Sequence, residues 1–126
     1  MAVRPSEAVT AVGSPVELRV YLPIHELQPQ FAAYLGTPTR ARGYPPYAGQ
    51  HALIVEVAPG LAIERVTDLA LKAVPEVDPG ILFVERQFGV LEVHADDAGD
   101  VARAGEAILN GIGAAPGHPL RPQVLA

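Results

Sequence analysis

The sequence predicts an α+β fold, an antiparallel sheet with helices segregated to one face. Three observations carry this. Val16-Glu17-Leu18-Arg19-Val20-Tyr21-Leu22 alternates apolar and polar, the two-residue period of a half-buried strand. Further on, Ala62, Val66, Leu69, Ala70 and Ala73 recur at i, i+3, i+4 spacing, as do Val101, Ala104, Ala107 and Ile108, the stripe of a helix with one buried face. The element order is strand, helix, long loop, strand, helix, hairpin, helix, which lets the helices collect in one layer over the strands.

The elements follow from their boundaries. Pro23 is expected to close the first strand, and Pro29 opens a short helix through Phe31, Tyr34 and Leu35, stopped at Gly36. Residues 37–50 hold three prolines and two glycines and read as a loop. His51–Val57 is a strand, turned by Pro59-Gly60 into the helix that bears Asp68 one turn before Lys72, a favourable order for an ion pair. Pro75 ends that helix. Gly80–Glu85 and Val90–His94 form a hairpin across Arg86–Gly89. Asp96 or Asp97 caps the last helix, which Gly111 and Gly113 end. The expected division is an N-terminal arm over 1–15, one domain over 16–113 and an irregular tail over 114–126. Within the arm, Ala8-Val9-Thr10-Ala11-Val12 reads as a short strand before Gly13-Ser14-Pro15.

Composition narrows the partners. The formal net charge is −5, and the nine basic residues are scattered, so the clustered Lys and Arg that displace counterions from nucleic acid or bind anionic lipid are missing. We therefore expect no nucleic-acid or membrane partner. No apolar run approaches the roughly 18 residues of a membrane span, and residues 1–15 lack a signal-peptide core. With no cysteine there is neither a disulfide framework nor a thiolate, as in a cytoplasmic chain. Hydrophobic residues make up 49% of only 126, which suggests apolar surface hidden against further copies.

Chemical motifs are sparse. His25-Glu26 begins like a zinc-helix motif, but Pro29 stands where the second histidine belongs. His25, His51, His94 and His118 are far apart in sequence and read as surface or strand-end histidines. Asp96-Asp97 reads as a cap before an acid pair, and Gly111-Ile112-Gly113 as a helix stop before a dinucleotide loop. No catalytic residue, metal site or cofactor is expected.

Ala52-Leu53-Ile54-Val55-Glu56-Val57-Ala58-Pro59-Gly60, then Asp68-Leu69-Ala70-Leu71-Lys72-Ala73, then Gly80-Ile81-Leu82-Phe83-Val84-Glu85-Arg86-Gln87-Phe88-Gly89 together resemble the bacterial microcompartment shell domain. The strand and helix that close ordinary members stand instead at the front, as Val16–Leu22 and the helix ending Tyr34-Leu35-Gly36. That order is similar to the circularly permuted shell proteins of ethanolamine- and propanediol-utilisation compartments. The resemblance covers roughly residues 8–113 and departs in two places. Leu22-Pro23-Ile24-His25 replaces a Pro-Arg-Pro-His stretch, losing an edge arginine, and the Pro-Tyr loop is long.

The resemblance implies a homohexamer that packs with other shell proteins into the shell of a cytoplasmic microcompartment. It implies pore-lining residues Gln87, Phe88 and Gly89, with Phe88 facing the axis, Gln87 the alternative if Phe88 tucks into the core, and the pore narrow or occluded. It implies a hexamer edge at Lys72 and Asp68, and an axial barrel from Ala8, Val9, Thr10, Ala11 and Val12. The competing readings are a ring-forming regulatory domain that binds a small molecule beneath a Tyr44/Tyr47 loop, and a small isomerase or hydrolase using His25 and Glu26 or Asp96 and Asp97.

Overall fold

The computed structural model describes residues 16–37 and 43–113. Along this stretch run β1 (Glu17–Ile24), α1 (Pro29–Gly36), β2 (His51–Ala58), α2 (Ala62–Ala73), β3 (Asp78–Val84), β4 (Gly89–Ala95) and α3 (Ala98–Ile112). The strands form one antiparallel sheet in the order β1-β2-β4-β3, so β1 and β3 are its two edges. The strand expected at Ala8–Val12 and the tail over 114–126 lie outside the described residues.

The α+β class, the element order and the antiparallel pairing match expectation, and several boundaries differ for local reasons. β1 continues through Pro23, which pairs with Leu53. A proline is tolerated there because β1 is an edge and, among the described residues, has no neighbour on its other side. β3 starts two residues before Gly80, at Asp78. The Asp97 carboxylate accepts from the Gly99 N–H at 2.8 Å and caps α3. Gly113, in the left-handed region at φ 77°, stops α3, whereas Gly111 lies inside it and leaves room for the Leu69 side chain.

Strand alternation sorts the core. Leu53, Val55 and Val57 of β2 and Leu91, Val93 and Ala95 of β4 point to the face covered by α2 and α3. The α2 stripe is centred on Ile63, Val66 and Ala70; Ala73, which the spacing placed on the buried face, is exposed. From α3 come Val101, Ala104, Ile108 and Leu109. The two long helices thus share one face as expected. The short α1 joins a smaller cluster of Leu27, Ala32, Leu35 and Ala52 with Ile24, Ile54 and Ile81, built on the alternate residues of β2.

That second cluster borders a buried polar pair. Glu92 and His94 of β4 are fully buried, with Glu92 Oε2 and His94 Nδ1 2.9 Å apart. His94, one residue from the end of β4, is therefore a strand-end histidine as expected but not a surface one. Gly80 makes the pair possible, since a Cβ there would overlap the Glu92 carboxylate.

Candidate functional site

The expected pore residues fall at one end of the sheet. The Glu85 N–H donates to the Phe88 carbonyl at 2.8 Å, closing the β3–β4 turn, and the Gly60 N–H donates to the Arg86 carbonyl at 3.1 Å. The hairpin is thus tied to the start of α2. A Cβ on Gly60 would overlap the Glu85 carbonyl oxygen, and one on Gly89 would lie 2.6 Å from the Gly60 carbonyl, so both glycines are required by backbone contact. At the tip Gln87 is exposed, while Phe88 is half-buried with its ring 5.8 Å from that of Phe83.

The expected edge residues fall at the opposite end. From Ala62, beside the hairpin, α2 climbs twelve residues to Ala73, about 18 Å at the usual helical rise. Lys72 stands in its last turn, with Nζ 3.0 Å from Asp68 Oδ2, and both side chains are exposed. Exposed pairs of this kind contribute only about 0.3–0.5 kcal/mol to stability. Hairpin tip and lysine therefore mark the two ends of one direction, parallel to the strands.

The two sheet edges differ in shape. Along β3, Leu82 and Phe83 are large hydrophobics left 47% and 46% exposed. Beside β1 lies an apolar cavity of about 300 Å3, walled by Pro23, Ile24, Leu53, Val101 and Leu109, with Tyr21 and Glu106 at its side. The Tyr21 hydroxyl lies over Gly105 of α3, which has no side chain to displace it. Burial raises the Tyr21 phenol above its ordinary pKa, and the Glu106 charge adds to the shift.

Residues that sequence separates meet at the outer end of this cavity. His25 and His51 stand edge-to-face with ring centroids 5.5 Å apart. The Glu26 N–H donates to His51 Nδ1 at 3.2 Å from a backbone at φ 53°. The two rings are twenty-six positions apart and are joined through the pairing of β1 with β2, so no local pattern could reveal the pair. Glu26 thus meets the histidines through its backbone N–H, and the Asp97 carboxylate is engaged as the α3 cap. Asp96 instead accepts from the Tyr47 hydroxyl at 3.2 Å and from Gln50 Nε2 at 3.1 Å, pinning the Pro-Tyr loop. Its charge, more than the hydrogen bond, raises the Tyr47 pKa. Tyr44 and Tyr47 remain exposed.

A four-stranded antiparallel sheet in this permuted order, with two long helices on one face, defines a bacterial microcompartment shell domain. The double-ringed trimeric shell protein of the RMM microcompartment is similar at 66% identity and a TM-score of 0.73, over 79% of this chain and 47% of that one. The fused permuted hexameric shell protein of the same compartment is similar at 52% identity and a TM-score of 0.73, over 79% of this chain and 48% of that one. The chain belongs to the CsoS1D N-terminal domain family, whose model matches residues 18–117. It is 40% identical over 111 residues to the carboxysome shell protein CcmP of Synechococcus elongatus, covering 88% of this chain and 51% of that protein. The chain spans about half the length of the curated relatives it matches.

Proposed function

We propose that this chain is a structural tile of a microcompartment shell, not an enzyme, and that six copies close a ring around a narrow axial opening. The observation that carries the reading is the placement of hairpin tip and Lys72 at opposite ends of the strand direction. Strands laid along the radii of a ring put Gln87, Phe88 and Gly89 at the axis and Lys72 with Asp68 at the rim. A count of six is supported by one relative: a trimer of chains about twice this length would offer six domain-sized positions, one of which a copy of this chain would fill. Cyclic head-to-tail contacts close without leaving open surfaces. At the axis the exposed Gln87 would face the opening, with the half-buried Phe88 held against Phe83. Narrowing there requires polar solutes to shed water, at several kcal/mol per unpaired polar group.

At the rim, Lys72 serves contact between neighbouring rings. Lys72→Ala is expected to leave the ring intact and to change unfolding free energy by no more than about 0.5 kcal/mol, since the Asp68 pair is exposed. It should weaken the growth of rings into sheets, seen as fewer or smaller arrays by electron microscopy. Arrays equal to wild type would remove Lys72 from the rim.

A further inference from the structure

We infer that the ring closes laterally by laying the β3 edge of one copy against the β1 edge of the next, with Leu82 entering the cavity beside Tyr21. This rests on the ring reading above. With strands along the radii, the two sheet edges are the surfaces that meet neighbours, and the partner on each is a second copy of this chain.

The ladder register supplies the alignment. Tyr21 pairs with Val55, Val55 with Leu91 and Leu91 with Leu82, so Tyr21 and Leu82 end one rung across the sheet. A rung runs at right angles to the strands, so rotation about the axis brings the Leu82 end of one copy to the Tyr21 end of the next. Both residues belong to the face covered by the long helices, because each shares its rung with the buried Val55 and Leu91. Leu82 is exposed, and the cavity beside Tyr21 is apolar and open. One edge thus projects an aliphatic side chain at the level where the other offers space for it.

The polarity of the edges is compatible with this, and their outer ends bring an imidazole near a carboxylate. β1 runs outward from the hairpin end and β3 runs inward, so the facing strands are antiparallel. From the axis outward, the β1 edge carries exposed Glu17, Arg19 and His25. In the same sense the β3 edge carries exposed Arg86, Glu85 and Asp78. At the hairpin end the charges are not matched level by level, because Glu17, one step beyond the rung of Leu18, Val57, Gly89 and Val84, falls at the level of Glu85. At the outermost level the register is direct, since Ile24, next to His25, shares a rung with Ala52, His94 and Asp78.

The chain has no cysteine, which makes the test clean. His25→Cys and Asp78→Cys alter exposed side chains, singly and together, in the full chain. After a short thiol–thiol crosslinker, the double variant is expected to give a ladder of covalent multimers ending at six chains on a denaturing gel. Each single variant should give none. A double variant that sediments as the ring yet stays monomeric on the gel overturns the lateral pairing and leaves the ring standing. If the wild-type chain itself sediments as a monomer, ring and pairing fall together. Independently, Leu82→Asp should weaken ring formation by about tenfold or more, as expected for a side chain buried at an interface centre. A Leu82→Asp ring that dissociates like wild type removes Leu82 from the contact.

Discussion

Replacing Glu92 by leucine is expected to destabilise the fold by about 3 kcal/mol or more, the cost of breaking a buried pair by removing one partner. Leucine is close to glutamate in size, so the loss comes from chemistry more than from a void. His94 stays fully buried on β4 with its Nδ1 deprived of the Glu92 carboxylate. The paired change Glu92→Leu with His94→Leu removes both polar groups together and should recover most of the loss. Urea unfolding at one fixed protein concentration measures this, because assembly adds its own stabilisation. A single variant within about 1 kcal/mol of wild type would mean that the pair is not sealed as described.

The second large effect is expected at Gly60. Its φ is ordinary, so the requirement is one of space: a Cβ would overlap the Glu85 carbonyl oxygen and lie 2.9 Å from that of Phe88. Both are backbone atoms of the hairpin and cannot rotate away. Gly60→Ala must therefore push the hairpin off the start of α2 and strain the bond from the Gly60 N–H to the Arg86 carbonyl. We expect about 2–4 kcal/mol of destabilisation, the range of overpacking joined to a lost buried hydrogen bond. Because the same hairpin holds Gln87 at the proposed axis, surviving Gly60→Ala rings should also differ from wild type at the pore. Thermal unfolding near the wild-type midpoint would show that the hairpin and α2 are not in contact.

Local pattern and long-range pairing were legible in the sequence to different degrees. The alternation of Val16–Leu22 and the stripes of the two long helices reflect which side chains leave water, so they show as periodicity. The capping role of Asp97 and the stop at Gly113 likewise depend on a few adjacent residues. Pro23 misleads because a proline ends a strand only where its missing N–H is needed, and edge position is a property of the whole sheet. The Ile63 stripe is displaced by one residue because Ala62 and Ala73 are small enough for either face. The site was legible mainly through resemblance. Asp68 and Lys72 stand at i, i+4 and could be paired from spacing alone. The closeness of His25 to His51, the seal around Glu92 and His94, and the shared rung of Tyr21 and Leu82 all arise from strand register. Register joins residues tens of positions apart, and no window of sequence contains it.

The central claim is that this chain closes a ring of six identical copies, with the strands along its radii. Sedimentation of the wild-type chain over a range of concentrations tests it most directly. The expected result is one species at six times the chain mass of 13.2 kDa, without a ladder of intermediates, because only the closed ring satisfies every β1 and β3 edge. A monomer that persists at high concentration, or an open series growing with concentration, would contradict it.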